Sequence, residues 1–557
     1  MQNNKKSLSV CTLSGTSGIG RNCSFIEYND KIVIVDFGFE FPEEQMYGID
    51  YLIPNYAYLK RNKNKIQAIL ITHGHLDHTG GLAYVLKELG FPPIYAGTFA
   101  NSLIRERLKD FGLEKSVKFE NVQRNTIKSF GEMRIKFIGV THSIPNAFSI
   151  FIDTPNGNVF FSGDYKIDTE PENEPETDYK SLELLQGKVD LAMMESTNSE
   201  EEGKTISAKK VGTTLDAIVK NANGRVIVTA FASLVSRLYS LIQIAKKYNK
   251  KVFVSGRSLN TSLRIAKNLG YVNIPKDLLQ PESKLSQYSD KQVLILCTGS
   301  QGERYSALNR ISLREHKYIK IKKNDLVIMS SSDIPGNILQ IENMTDRLIT
   351  EGADLVKSNM MEVYESGHGM KIDMKMMYDL IQPKFVIPIH GSMTKRYLNE
   401  KNFVEWGMSK DRIFLTQDGQ FWNRVPNGWT KGKRIDAKPI LIDGLGVGDI
   451  GEIVLKDREQ LANYGMVCII MNLHNKTLQL IGKIRFESRG FVYMKASKQL
   501  MKNLENLARD THKKWWEKGK GNKPLSLSEL RENLVRDLGK YIYKTIEREP
   551  MILPVFV

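Results

Sequence analysis

The amino-acid sequence predicts an α/β protein in which a metal-binding domain is interrupted by a block of alternating strands and helices. Three observations carry that expectation. Residues Thr72–His78 read T-H-G-H-L-D-H and place His73, His75, Asp77 and His78, all metal-ligand side chains, in one short turn. The 557-residue chain has only nine histidines, so this crowding is not compositional. Several other apolar strands end on a histidine or an acid, and between residues 205 and 355 strands and helices alternate with His316 as the lone histidine.

Composition sets the frame. A chain of this length exceeds one hydrophobic core, so two to four domains are expected. Apolar residues make up 41% and charged residues 25%, ordinary for a soluble globular protein. No run approaches the roughly 18 apolar residues of a membrane helix. Met1–Lys6 is polar and lacks the apolar stretch of a signal peptide. Cys11, Cys23, Cys297 and Cys468 are far apart without C-x-x-C spacing, which argues against disulfides and a cysteine zinc knuckle, for buried small side chains, and for a reducing cytoplasm as the expected location. The net charge of +16 suits a polyanionic partner. Lysine and asparagine are abundant throughout, however, so charge alone does not identify nucleic acid.

In chain order, the glycines of Leu8–Gly20 precede a strand but no helix pattern follows, which argues against a dinucleotide-binding turn. Arg21–Tyr28 and Lys31–Val35 read as a hairpin joined by Asn29-Asp30. Asp36, just before Gly38, either ends a strand or orients a metal histidine. Lys65–Ile71 is an apolar strand leading into the histidine turn, and Leu82, Val85, Leu86 and Leu89 predict a helix with one buried face after it. Ligand-type residues thus stand at a strand's C-terminal end, where α/β folds place their sites. The same arrangement recurs with His142 after Ile135–Val140, Asp164 after Asn158–Phe161, Glu195 after Val189–Met194, and His390 after Phe385–Ile389.

The strands near 226–229, 251–254, 293–296 and 326–329 each run into a small or polar turn: Phe231-Ala232-Ser233, Ser255–Ser258, Thr298–Gly302 and Ser330-Ser331-Ser332. This is a βαβ block whose turns suit phosphate or are ordinary connections. His368 returns in Glu365–Gly369, so the block reads as inserted between two halves of the metal domain. His316, His474 and His512 have no such company and read as surface or packing residues. Gly-rich residues 443–449 suggest a linker or tight turns. The last hundred residues carry the strands Met466–Met471 and Leu478–Ile481 and two helical patterns, with His512–Lys520 between those helices. There Trp515 and Trp516 among basic residues would either grip nucleic acid or, the favoured alternative, pack within a small domain or against a partner subunit.

Counting ligands gives His73, His75, His142 and Asp164 for one metal and Asp77, His78, Asp164 and His390 for a second, with Asp164 bridging. Two metals so placed suit hydroxide attack on a phosphodiester; a small-molecule ester or amide is the weaker alternative.

The H-x-H-x-D-H of residues 73–78, with Asp36, His142 and Asp164, resembles the metallo-β-lactamase fold. The insertion, with E-S-T-N at Glu195, E-S-G-H-G around His368 and P-I-H-G around His390, resembles its β-CASP nuclease branch. T-G-S-Q-G-E (298–303), S-S-S-D-I-P-G-N (330–337), D-G-L-G-V-G-D (443–449), S-R-G-F-V-Y (488–493) and R-E-P-M-I-L-P-V (548–555) resemble bacterial ribonuclease J, over nearly the whole chain. The resemblance implies an αββα sandwich with an inserted β-CASP domain and a small α+β C-terminal domain. Expected limits are 1–204 and 356–435 for the sandwich, 205–355 for the insertion, 436–455 for a linker and 456–557 for the C-terminal domain.

It also implies a ribonuclease with 5′-to-3′ exonuclease activity on 5′-monophosphorylated RNA and endonuclease activity, acting in rRNA processing and mRNA turnover. Two zinc ions per subunit are implied, with manganese or magnesium as substitutes. The implied partners are single-stranded RNA, a second or further copies in a homodimer or homotetramer, and RNA-decay or ribosome-associated proteins, with no membrane. On both lines, Asp77 would steer the proton of the nucleophile and His368, oriented by Glu195, would protonate the leaving oxygen or stabilise the phosphate. Ser366, Gly367, His368 and the Ser330-Ser331-Ser332 turn would hold phosphates. The rival readings are a β-CASP nuclease acting on DNA and a catalytically silent RNA-binding scaffold. Two departures from the family pattern are Glu195, where ribonuclease J usually has aspartate and the wider branch accepts either acid, and Ser392, where glutamate is usual.

Overall fold

The computed structural model describes residues 7–43, 45–444, 446–448, 450–491, 498–518 and 525–557. Of the sequence features above, residues 1–6, Leu445, Asp449, Val492, Tyr493, Gly519 and Lys520 lie outside them. The chain separates into two units, Met1–Glu40 with Ile53–Pro439, and Phe41–Leu52 with Ile440–Val557.

The first unit is built on two stacked sheets. One has eight strands in the order 428–434, 420–425, 8–14, 23–28, 31–35, 66–70, 94–96 and 119–121; the other has six, in the order 385–389, 191–195, 157–161, 147–154, 133–140 and 127–130. Alternating apolar side chains from both inner faces form the core between them, including Val10, Ile26, Val35 and Leu70 from one sheet and Phe137, Ile150, Phe161 and Met193 from the other. The outer face of the six-stranded sheet is covered by helices Lys371–Ile381 and Met393–Glu405 through Met377, Ile381 and Phe403. The hairpin reading holds: Tyr28 pairs with Lys31, and Asn29 takes the left-handed backbone (φ 55°) that a two-residue turn needs.

The inserted block is a five-stranded parallel sheet, ordered 251–255, 293–297, 226–230, 326–330 and 354–357. Its strands 226–230 and 293–297 are buried along their whole length, as parallel strands covered on both faces must be. The last strand, Asp354–Lys357, carries the insertion's sheet past the expected boundary at 355. Phe99 and Ile144 of the sandwich share a core cluster with Val235 and Leu238 of the insertion.

Three expectations are corrected. The helix after the histidine turn is interrupted between Leu76–Thr79 and Leu82–Val85, where the Asp77 carbonyl accepts from the Asn22 amide and the Gly81 amide donates to the Phe37 carbonyl instead of to each other; Leu82, Val85, Leu86 and Leu89 are nonetheless buried. Residues 436–455 are not a plain linker: Ile440–Asp443 pairs with Gly446–Val447, and helix Glu452–Tyr464 begins inside the range. His512–Lys518 lies within helix Lys498–Lys518 rather than between helices.

The second unit holds a three-stranded sheet ordered 480–489, 466–473 and 551–556, with helices Lys498–Lys518 and Leu527–Ile546 packed through Trp515, Leu530, Leu534, Leu538 and Ile542. Trp515 is 2% exposed and the Trp516 indole donates to the Thr477 carbonyl, so both tryptophans pack within this unit. Among the described residues no helix is long and apolar enough to cross a membrane.

Candidate metal centre

The site forms where both sheets end. Strands 157–161, 191–195 and 385–389 run parallel side by side, and their C-terminal ends deliver Asp164, Glu195 and His390 to one edge. The opposing sheet brings Asp36 after strand 31–35 and the histidine turn after strand 66–70. The turn is cradled by backbone: Phe37 N donates to His78 O at 2.8 Å, Phe39 N to Leu76 O at 3.1 Å and Asn22 N to Asp77 O at 2.9 Å. This approach is so close that a Cβ on Gly38 would fall 1.5 Å from the Asp77 carbonyl oxygen. Asp36 and His390 both take left-handed backbone, at φ 60° and 54°. Neither residue type adopts it freely, and such conformations persist where surrounding structure imposes them.

The candidate ligand atoms form three overlapping groups: His73, His75 and His142, without the Asp164 that the sequence reading adds to them; Asp77, His78, Asp164 and His390; and Asp164, Glu195, His368 and His390. His73 Nε2 and His142 Nε2 each lie 3.0 Å from His75 Nδ1. In the second group Asp164 Oδ2 lies 3.2 Å from His78 Nε2 and 3.4 Å from His390 Nε2, while Asp77 Oδ2 lies 3.5 and 3.2 Å from the same two nitrogens. Within each group the atoms are all within 4.8 Å of one another. Asp164 Oδ2 stands between the groups, also 3.6 Å from His73 Nε2. It is buried and has no partner in hydrogen-bonding geometry. A buried carboxylate oxygen left so among imidazole nitrogens fits a cation, and histidine with aspartate is the donor set of zinc and its first-row neighbours.

Electrostatics agree with that fit for the first group, whereas the burial of His78 is outweighed by Asp164, Asp77 and Asp36, which raise its imidazole in the metal-free chain. Burial and neighbouring imidazoles hold His73 and His142 well below the ordinary histidine range, and burial takes His75 down to about 4 against the pull of Asp77 and Asp164. These rings are therefore neutral at pH 7, the form that binds metal. Each ring's second nitrogen is held. Asp36 Oδ2 lies 2.7 Å from His78 Nδ1, and Asp36 is itself fixed by the Thr72 amide (2.8 Å) and hydroxyl (2.7 Å). The Gly367 carbonyl lies 2.6 Å from His142 Nδ1, Thr197 Oγ1 2.7 Å from His390 Nδ1 and Ser233 Oγ 3.0 Å from His75 Nε2. Such partners fix tautomer and ring orientation. Thr197 and Ser233 were visible only as members of motifs, and Asn22, whose Nδ2 lies 3.2 Å from His78 Nε2, carried no signal beyond its neighbouring glycine-rich loop.

Beside the ligands sits His368, its Nδ1 2.7 Å from Glu195 Oε2 and 3.8 Å from Asp164 Oδ2. Glu195 Oε1 accepts from the Tyr165 amide at 2.9 Å, so the carboxylate is oriented from both sides. Burial opposes a charge on His368, but Glu195 and Asp164 outweigh it and raise the imidazole to about 9. Asn198 Nδ2 donates to the Ser366 hydroxyl (3.0 Å) and the His368 carbonyl (2.9 Å), fixing the turn that carries both.

The Ser330-Ser331-Ser332 turn divides. Ser330 is fully buried and its hydroxyl donates to the Val363 carbonyl at 2.6 Å, so the expectation of phosphate contact fails for it. Ser331 is likewise buried, at 2% exposure, and only Ser332 is exposed. Ser392 caps helix Met393–Glu405, its hydroxyl accepting from the Lys395 amide. His316 and His512 are packing residues and His474 is exposed; His316 lies against Ser255 and His512 against the Leu478 carbonyl.

A stacked two-sheet core with histidine-rich strand ends and a parallel-sheet insertion defines a metallo-β-lactamase-fold protein of the β-CASP branch. Residues 17–198 match the metallo-beta-lactamase superfamily, 223–348 the ribonuclease J beta-CASP domain, and 453–557 the ribonuclease J C-terminal domain. The chain is 35% identical to ribonuclease J 1 of Streptococcus pyogenes serotype M3 over 98% of its length and 97% of that protein. It is 32% identical to ribonuclease J 2 of Staphylococcus aureus over 99% and 98%. The chain belongs to the ribonuclease J family. A crystal structure of a protein of unknown function from Enterococcus faecalis V583 shares the fold, with a TM-score of 0.53 at 17% identity over 74% of this chain and 99% of that one.

Proposed function

We propose that this chain is a metal-dependent ribonuclease that removes nucleotides from the 5′ end of 5′-monophosphorylated single-stranded RNA and also cuts internally, in RNA maturation and turnover. The observation that carries this reading is Asp164 Oδ2, a member of one ligand group lying 3.6 Å from His73 Nε2 of the other, beside the Glu195–His368 pair. Family membership supplies RNA as the substrate class. We further assign a cytoplasmic location and a homodimer or homotetramer supported by the C-terminal domain, with the sandwich lying on both sides of the insertion, whose sheet extends to Lys357 rather than ending at 355.

His73, His75 and His142 would hold one divalent ion and Asp77, His78 and His390 a second, with Asp164 shared; zinc is our choice, with manganese and magnesium as substitutes. When bound, such a pair supplies a hydroxide near neutral pH and neutralises charge on the phosphoryl oxygens. Asp36, Thr197, Gly367 and Ser233 keep the imidazoles aimed at this point. Asp77, whose side chain is 29% exposed, steers the proton of the nucleophile. His368 carries a proton fixed by Glu195 and delivers it to the leaving 3′ oxygen. To Ser366 and Ser332 we assign hydrogen bonds to neighbouring phosphates.

The test is incubation of the metal-loaded protein with uniformly labelled 5′-monophosphorylated RNA, its 5′-triphosphate form and matched DNA. Mononucleotides from the monophosphate form alone support the 5′ exonuclease reading; internal fragments whatever the 5′ end make the enzyme chiefly an endonuclease. DNA cleaved in preference to RNA overturns it. In the same assay His368→Ala is expected to keep its metal and lose about 100-fold or more in kcat. Loss of metal in that variant would contradict the role given to His368.

A further inference from the structure

We infer that Arg237 is a positioning residue of this site, acting from the inserted domain through Glu365 on the Ser366–His368 turn. Arg237 stands in the first turn of helix Val235–Lys247 and is 1% exposed. Its guanidinium pairs with Glu365 Oε2, and Nη1 donates to the Val363 carbonyl at 3.2 Å. The Ser330 hydroxyl donates to that same carbonyl, so two groups of the insertion hold the segment returning to the sandwich. On the far side of Glu365, Lys166 Nζ lies 3.8 Å from Oε1 and 3.0 Å from Asp168 Oδ2, and Asp168 Oδ2 accepts from the amide of Ala208, the first residue of helix Ala208–Asn221. All four charged side chains are at most 2% exposed.

Both ends of this cluster adjoin site residues along the chain. Lys166 follows the shared ligand Asp164 by two residues. Glu365 immediately precedes Ser366, whose neighbour Gly367 gives its carbonyl to His142 Nδ1, and His368 comes next. The turn has almost no slack, since a Cβ on Gly367 would lie 2.5 Å from Ser143 Oγ and 2.8 Å from His142 Cε1. A buried ion pair is a poor way merely to glue two domains, because well-packed apolar side chains of similar volume hold as well or better. What the guanidinium adds is direction: its planar fork fixes Glu365 and the Val363 carbonyl together. The insertion thereby sets where His368 stands.

The inference rests on the role proposed for His368, and the experiment separates the two. Arg237→Met, Arg237→Lys, Glu365→Gln, the double variant Arg237→Met/Glu365→Gln and His368→Ala are compared as full-length metal-loaded proteins on single-stranded RNA. Metal content and thermal unfolding are read alongside. Arg237→Met is expected to lower kcat on the order of 100-fold, the cost of misplacing a reacting group by about an ångström, with KM and metal content little changed. Arg237→Lys should recover part of kcat. The double variant should lose less than the two single losses combined, because no buried charge is left unpaired. The His142 Nδ1 proton signal should shift in Arg237→Met as the Gly367 carbonyl moves. Wild-type kcat in Arg237→Met overturns the inference, as does a loss that only tracks the unfolded fraction; should that variant not fold, wild-type kcat in Arg237→Lys and in the double variant overturns it equally. An active His368→Ala would instead remove the underlying reading.

Discussion

At the scale of single residues, the ligands were legible because seven of the chemically suited side chains fall at strand ends and four of them within one turn. Their orienting partners were not. Thr197 reaches His390 across 193 positions and Ser233 reaches His75 across 158, contacts that exist only once the sheets close. Gly38 shows the same dependence. Gly38→Ala would drive a methyl into the Asp77 carbonyl, and because the obstacle is backbone the histidine turn must move. The variant is expected to lose bound metal and unfold at lower temperature, read by elemental analysis and calorimetry. His368 gives a pH prediction with a definite sign. In the metal-free chain its imidazole is raised from 6.5 to about 9, so protonation favours the folded state. That contribution is complete below about pH 6.5 and is lost as pH rises through about 9. Glu195→Gln removes the nearest carboxylate charge and should bring the titration down, which histidine NMR resolves; an unchanged titration would contradict the pairing.

Among the elements, parallel strands were the most readable, since burial on both faces leaves continuous apolar runs such as Val293–Cys297. Helix continuity was not. The spacing of Leu82, Val85, Leu86 and Leu89 marks a buried face but says nothing of the Asp77 carbonyl and Gly81 amide, whose bonds to Asn22 and Phe37 interrupt the helical ladder before it. Ser392 illustrates a family departure absorbed locally, as the cap of helix Met393–Glu405. Ser392→Ala is expected to cost about 0.5–1 kcal/mol in chemical unfolding, the ordinary value of such a cap, and to leave kcat unchanged. A large kcat loss would show that the residue serves more than the helix.

For the whole molecule, the interrupted architecture was visible in the return of His368 and His390 after a stretch without ligands. The membership of residues 41–52 in the second unit was not, because that segment has neither periodicity nor a motif. The second unit carries its own core around Trp515. Trp515→Ala should destabilise that unit by about 3–5 kcal/mol while metal content is retained, seen as a shift of one calorimetric transition. Loss of metal on that substitution would show that the first unit depends on it. The placement of His390 beyond the insertion also orders events during synthesis. Once His73, His75, Asp77, His78, His142 and Asp164 have been synthesised, more than two hundred residues must still be added before His368 and His390 are made. A nascent or prematurely ended chain therefore holds most of the candidate metal ligands but neither His368 nor His390. The nuclease can become active only after the messenger that encodes its inserted domain has been read through.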